Sequence, residues 1–321
     1  MRAVPRIFAG KCLGFAACRW DGATINERFV DRLGKFVEYV TACPEMEIGL
    51  GCPRQPIRVV MLNGKKSLYQ PASGKDFTEN MEAYTQKTLS KLKKEDLSGF
   101  ILKSRSPSCG VKDVKLYAST KETAGHKGGT TGVFGEGVLA GFGSLAIEDE
   151  GRLSNFTIRE NFLAKIFAHA EFLKVKESGK MKELVSFQAK NKLLLLSFNE
   201  KEMRLMGKLV ANSEKTLVKE IMKEYEEHLL AALSKPMKIG AVINVLQHAF
   251  GYFKELLVPE EKKYFLLSLE KYNKGKLPLS AVTGLLQMWI LKYNVLYLKE
   301  QTFFSPYPEE LADISDSGKG R

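Results

Sequence analysis

The sequence predicts an α/β protein in two parts: a Rossmann-like N-terminal domain built on a parallel sheet, residues 1–150, followed by an all-α helical domain, residues 151–321. Three observations lead there. In the first half, short runs rich in β-branched and aromatic residues alternate with helical spacing, and strands alternating with helices imply parallel pairing. Glycines crowd the first part and thin out in the second, where apolar residues recur at three and four. A chain of 321 residues with 44% hydrophobic side chains also exceeds what one core usually serves.

Residues 6–9, 36–40, 57–61 and 100–102 read as strands, because each is a short β-branched or aromatic run. Residues 26–35 and 76–94 carry helical spacing, the second ending in Lys91, Lys93 and Lys94, which suit a helix C-terminus. The run Glu148-Asp149-Glu150-Gly151-Arg152 marks the domain boundary. Beyond it, residues 161–176, 187–198, 200–209, 215–233, 239–257, 260–272 and 280–299 show helical periodicity. Residues 305–321, with two prolines and then polar and glycine residues, read as a loose tail.

The net charge of +12 draws anions such as nucleotides, RNA or acidic lipid headgroups without choosing among them. Five cysteines, an odd number in a lysine-rich chain, argue against a disulfide framework and for a reducing compartment. The apolar stretch around Leu193-Leu194-Leu195-Leu196 is cut off by Lys192 and by Asn199-Glu200-Lys201, too soon to span a bilayer. The N-terminus lacks the apolar core of a signal peptide, so the expected location is cytoplasmic. Monomer and homodimer both remain open.

In an open parallel sheet the ligand site lies beyond the carboxyl ends of the strands. Cys12 follows the first predicted strand, Cys43 the second and Cys109 the fourth, each opening a Gly/Pro/Ser-rich loop. Separations of 31 and 66 residues exclude a local zinc-finger pattern and leave a site assembled by the fold. Three stretches carry the signal. They are Cys12-Leu13 with Arg19-Trp20-Asp21-Gly22, Cys43-Pro44-Glu45 with Ile48-Gly49-Leu50-Gly51-Cys52-Pro53-Arg54, and Arg105-Ser106-Pro107-Ser108-Cys109-Gly110.

In order and spacing these motifs resemble the thiouracil desulfidase (TudS-like) family, over roughly residues 5–145. The resemblance implies a [4Fe-4S] cluster held by Cys12, Cys43 and Cys109, with one open iron to take the sulfur of a thiocarbonyl substrate. The implied activity replaces the thiocarbonyl sulfur of a thiolated pyrimidine (thiouracil, thiouridine or 4-thio-UMP) by oxygen, with release of sulfide. Soft thiolates suit such a cluster, and three protein ligands leave a Lewis-acidic position. The family pattern points to Glu45 rather than Glu47 for proton transfer and to Ser106 as the catalytic serine, with Ser108 a second hydroxyl donor. Arg19, Arg54, Lys103 and Arg105 lie in or beside the loops; they suit a phosphorylated substrate or offset the charge of a thiolate-bound cluster. Cys18 and Cys52 read as packing residues, either able to become a fourth ligand of a resting cluster. The glycine-rich stretch from His126 to Gly137 does not follow P-loop order and reads as a substrate-side loop.

Residues from about 180 to 300 resemble a second family of unknown function (YbgA-like), which often follows the desulfidase domain in one chain. Phe187, Lys190, Lys192, Leu205-Met206-Gly207, Asn244-Val245-Leu246-Gln247-His248, Gly251-Tyr252-Phe253 and Lys276-Leu277-Pro278-Leu279 carry that resemblance. Gln188 stands where family members often have histidine. His248 reads as a packing residue, with Tyr252 and Lys254 beside it as possible contacts to a nucleotide or RNA. The helical domain carries no catalytic constellation. An RNA- or nucleotide-binding protein with a structural or sensory metal site is the alternative reading, and a zinc site with a fourth ligand is a third.

Overall fold

The computed structural model describes residues 2–62, 64–213 and 215–317. Its first part runs β1 (Arg6–Gly10), α1 (Arg28–Leu33), β2 (Glu38–Ala42), α2 (Pro44–Glu47), β3 (Arg58–Leu62), β4 (Lys65–Gln70), β5 (Lys75–Asp76), α3 (Thr78–Leu92), β6 (Leu97–Leu102), β7 (Val114–Tyr117), β8 (His126–Thr130), α4 (Val133–Phe142) and β9 (Ala146–Asp149), then enters α5 (Phe156–Ser178). Strands β2-β1-β6-β9 form a wholly parallel sheet, with Phe8 opposite Val40 on one side and Phe100 on the other. The two central strands are apolar without alternation: Ile7, Phe8 and Ala9 of β1 and all six residues of β6 are buried. Phe8 meets the rings of Phe100 and Phe134 at centroid distances of 5.5 and 5.7 Å. At Gly99 a Cβ would stand 2.7 Å from the Ala146 carbonyl oxygen and 2.9 Å from Ile166 of α5, so glycine lets strand and helix close on β6.

The predicted strand at residues 57–61 forms, but outside this sheet. As β3 it joins a second, mixed sheet in the order β5-β4-β3-β7-β8, antiparallel to β4 and parallel to β7. The physical reason is the short connection into β4, with Gly64 at φ +77°: a tight turn favours antiparallel pairing, whereas a parallel neighbour needs a long crossover.

The stretch from His126 to Gly137, expected as a loop, is instead strand β8 and the start of α4. Its glycines serve close packing. The Gly132 N–H donates to the Gly110 carbonyl at 2.7 Å and the Gly135 N–H to that of Ser108 at 2.9 Å. A Cβ on Gly135 would lie 2.6 Å from the Gly110 oxygen and 2.8 Å from the Cys109 oxygen. The N-terminus of α4 is therefore pressed against the backbone that carries Cys109.

By its contacts the chain forms two compact units: the described residues up to Ala170 together with those from Glu310 on, and residues 171–309. The expected loose tail is tied down as far as Ser317. Leu311 is fully buried, Arg32 pairs with Asp313 at 3.0 Å, and buried Arg159 donates to the Ser315 carbonyl at 2.7 Å. The Ser317 N–H reaches the Ser154 carbonyl at 3.1 Å, while residues 318–321 lie outside the described residues.

The second unit is helical, with α6 (Met181–Phe198), α7 (Glu200–Ala211), α8 (Val218–Leu233), α9 (Ile239–Gly251), α10 (Pro259–Asn273), α11 (Leu279–Tyr293) and α12 (Leu296–Lys299). The helix expected over 280–299 is broken at Asn294, whose left-handed backbone (φ +49°) ends α11. Phe172 stacks on fully buried Tyr225 at 5.4 Å, and the Tyr225 hydroxyl donates to Gln188 at 2.5 Å. His248, expected to pack, is exposed on α9. Among the described residues no helix is long and apolar enough to cross a membrane.

Gly135→Ala is expected to lower stability by about 1–3 kcal/mol through the clash with the Cys109 loop. Gly141→Ala, whose Cβ meets only Leu89 at 3.7 Å, should leave it unchanged or raise it slightly. Thermal melts of the two variants measure the difference.

Candidate active site

The three cysteines lie where the parallel sheet delivers them. Cys12 comes two residues after β1, Cys43 directly after β2, and Cys109 on the loop between β6 and β7, with the Lys11 N–H bonded to the Ala42 carbonyl at 2.9 Å. All five cysteines are free thiols; Cys43 and Cys109 are buried and Cys12 is half-buried. The thiols act on one another. Burial first, and then the Cys43 charge, pushes Cys12 up to about 11, with Lys103 opposing. Cys109 is raised well above its ordinary value by burial and then by Cys12, Glu45 and Cys43. Burial and neighbouring negative charge thus disfavour bare thiolates at Cys12 and Cys109, and a bound cation would favour them. Among the described residues no three His, Cys, Asp or Glu side chains stand in single-ion geometry. Soft thiolates are the ligands an iron–sulfur cluster takes, so the chemistry of the donor set fits one.

Cys18 belongs to the same group. It is buried, and burial followed by its contact with Cys43 raises it to about 12, while the Cys43 thiol points at the Cys18 carbonyl at 3.7 Å. Cys52 instead lies against the Ala17 and Arg19 carbonyls at 3.1 and 3.2 Å.

Glu45 sits in the single turn α2, which Pro44 opens, and its carboxylate is held at both oxygens. Arg54 donates to Oε2 through Nε at 2.8 Å and also through Nη2; Oε1 accepts from the Ser108 hydroxyl and, at 3.4 Å, from that of Ser106. The Ser106 Oγ itself accepts the Cys109 and Ser108 N–H groups at 3.1 and 3.3 Å. Its lone pairs are thereby engaged, and its proton is left to face Glu45 or Ser108, 3.3 Å away. Ser108 is fully buried and Ser106 half-buried, so Ser106 is the hydroxyl nearer solvent.

Arg54 is almost enclosed, its side chain 4% exposed. Besides Glu45 it donates from Nη1 to the Cys18 carbonyl at 3.0 Å and the Gly51 carbonyl at 2.9 Å, and its own N–H donates to the Trp20 carbonyl at 2.8 Å. Burial works against its charge, yet Glu45 holds its pKa above the ordinary value. Gly49 and Gly51 take φ of +85° and +72°, left-handed conformations that glycine adopts without strain and that shape the turn between Glu45 and Arg54.

The other three cations differ. Lys103 is paired with Glu150, Arg19 with Asp21 at 3.4 Å, and Arg105 is exposed, at φ +56°, with no ion pair among the described residues. Glu150 is a site residue that sequence reading passed over. It is buried and accepts the Ser104 N–H at 2.7 Å and hydroxyl at 2.6 Å, fixing the loop ahead of Ser106. The available signal was the acidic run itself, read as the domain boundary.

A parallel-sheet domain that gathers cysteines beside a clamped carboxylate and two hydroxyls defines a class, that of α/β proteins with a thiol-lined site at the carboxyl ends of the strands. The match is to a family within it. Residues 7–150 match the 2-thiouracil desulfurase family, and residues 192–308 match a family described as a protein of unknown function, DUF1722. The uncharacterized protein YbbK of Bacillus subtilis (strain 168) is 36% identical over 110 residues, 32% of this chain and 72% of that protein. The uncharacterized protein YbgA of Escherichia coli (strain K12) is 26% identical over 151 residues, 46% of this chain and 89% of that protein. This chain belongs to the 2-thiouracil desulfurase family, with the second domain fused behind it. The solved structure of the [4Fe-4S]-dependent thiouracil desulfidase TudS shares 23% identity, spans 46% of this chain and 93% of its own, and superposes with a TM-score of 0.38.

Arg54→Met is expected to destabilise by about 3–5 kcal/mol, because it strands a shielded carboxylate. The Glu45→Met/Arg54→Met double variant should recover part of that loss. Urea unfolding of the singles and the double reads the coupling, and strictly additive losses would show that the pair does not act as a unit.

Proposed function

We propose that this chain is an iron–sulfur-dependent, non-redox desulfidase that exchanges the thiocarbonyl sulfur of a thiolated pyrimidine for oxygen and releases sulfide. The observation that supports it most is the coincidence, within residues matched by the family, of three free cysteines on the strand-end loops with the Glu45-Ser106-Ser108 cluster. Cys12, Cys43 and Cys109 would hold a [4Fe-4S] cluster, which when bound supplies an open Lewis-acidic iron for the soft sulfur atom. Water adds the oxygen, so a thiocarbonyl and water become a carbonyl and hydrogen sulfide, with no net electron transfer and no need for a nicotinamide or flavin.

The protein's own groups manage the protons. Glu45, whose Oε2 accepts from both Nε and Nη2 of Arg54, takes a proton from the attacking water. The Ser106 hydroxyl, with its oxygen fixed by two backbone N–H groups, hands the proton onward or donates to the developing anion. Ser108, buried behind it, holds Oε1 of Glu45 in place. Arg105, exposed and unpaired among the described residues, is the side chain we assign to a substrate phosphate; Arg54 and Lys103 act through Glu45 and Glu150, and Arg19 supports the first loop.

The alternative reading, an RNA- or nucleotide-binding protein with a structural or sensory metal, draws on the net charge of +12. Salt-dependent retention of RNA by a protein that consumes no thiocarbonyl would favour it.

Protein purified without oxygen should carry about four irons and matching labile sulfide per chain. Cys12→Ala, Cys43→Ala and Cys109→Ala should each lose them; a Cys43→Ala protein with full iron content would refute the ligand assignment. Glu45→Gln should keep the cluster yet slow turnover by roughly 100-fold or more. Arg105→Ala should raise KM about tenfold or more for 4-thio-UMP and leave free 4-thiouracil unaffected, as steady-state kinetics on the two substrates will read.

A further inference from the structure

We propose that Trp20 is the face on which the pyrimidine ring of the substrate stacks. The inference rests on the desulfidase reading and extends it to the recognition of the ring. A thiolated pyrimidine is flat, with polar atoms only at its edge. The carboxylate and two hydroxyls beside the thiols address edges and charges, and the Arg54 guanidinium, 4% exposed, is enclosed and not available for stacking.

Two aromatic side chains on the first cysteine loop are exposed. Phe15 is turned edge-on against Tyr39 at 4.9 Å, and Trp20 is 48% exposed. The backbone beside Trp20 belongs to the site: the Cys18 carbonyl meets the Cys43 thiol and Arg54, the Arg19 carbonyl meets the Cys52 thiol, and the Trp20 carbonyl accepts the Arg54 N–H at 2.8 Å. Trp20 is thus held by the residue that orients Glu45.

The turn beneath it is closed. The Gly22 N–H bonds to the Arg19 carbonyl at 3.0 Å, the Asp21 carboxylate takes the Ala23 N–H at 3.1 Å and pairs with Arg19, and Gly22 adopts φ +76°. A large indole left in water on so fixed a turn is a preformed platform, and stacking a base on an aromatic ring is sequence-tolerant and substantial.

The chain has two tryptophans, and the other, Trp289, is 2% exposed within the helical unit. Fluorescence excited at the tryptophan band therefore isolates Trp20 as the responsive reporter. Titrating uracil, the reaction product, into the cluster-loaded protein should quench the emission. Trp20→Ala should raise KM for 4-thiouracil by roughly 10- to 100-fold with kcat changed far less. Should Trp20→Ala fail to fold, Trp20→Leu, which keeps apolar bulk without a π face, replaces it.

Equal affinity for uracil in wild type and in the Trp20 variants, measured by equilibrium dialysis, would overturn the stacking role and leave the desulfidase reading intact. Absence of any pyrimidine binding or turnover in wild type would overturn both.

Discussion

The Glu45–Arg54 pair is the contact on which the candidate site depends, because it links all three cysteine loops. Arg54 grips the Cys18 and Trp20 carbonyls of the first loop and the Gly51 carbonyl of its own, while Glu45 passes the connection to Ser106 and Ser108 ahead of Cys109. Charges this shielded are expensive to desolvate, and the arrangement compensates by bonding both carboxylate oxygens and every nitrogen of the guanidinium. One buried ion pair thereby ties together the loops that carry Cys12, Cys43 and Cys109.

Around this pair the scaffold works by close approach. Gly99 admits β9 and α5 to the central strand, and Gly132 and Gly135 bring α4 onto the Cys109 loop. The positions that could drift, the loops beyond the strands, are each pinned by a buried polar group: Arg54 for the first two and Glu150 for the stretch ahead of Ser106. Rigid strands deliver the residues, and backbone hydrogen bonds complete the positioning.

Much of this was readable from local pattern. Strands β1, β2 and β6, helix α3 and most of the helical unit follow apolar periodicity that neighbours in sequence determine. The cysteines were singled out by their place at strand ends and Glu45 and the serines by the family motif, and the structure brings Glu45, Ser106 and Ser108 into contact. What failed to show is non-local. Which sheet β3 joins depends on a hairpin partner, and the acidic run ending in Glu150 reads as a domain boundary until Lys103 and Ser104 are found opposite it. The glycines of α4 disguise a helix as a loop, since their low helix propensity is outweighed by the carbonyls they pack against. The last segment looked loose because its anchors, Arg32 and Arg159, lie far earlier in the chain.

That last segment changes how the domains are joined. The chain leaves the first unit after Ala170 and re-enters it at Glu310, so the helical unit is an insertion spliced between two pieces of its neighbour. Residues 310–317 act as a clasp whose buried Leu311 belongs to the α/β core side. A single backbone cut in the helical unit would then leave both fragments anchored, and a recombinant boundary drawn after Ala170 alone would deprive the first unit of its own closing strap.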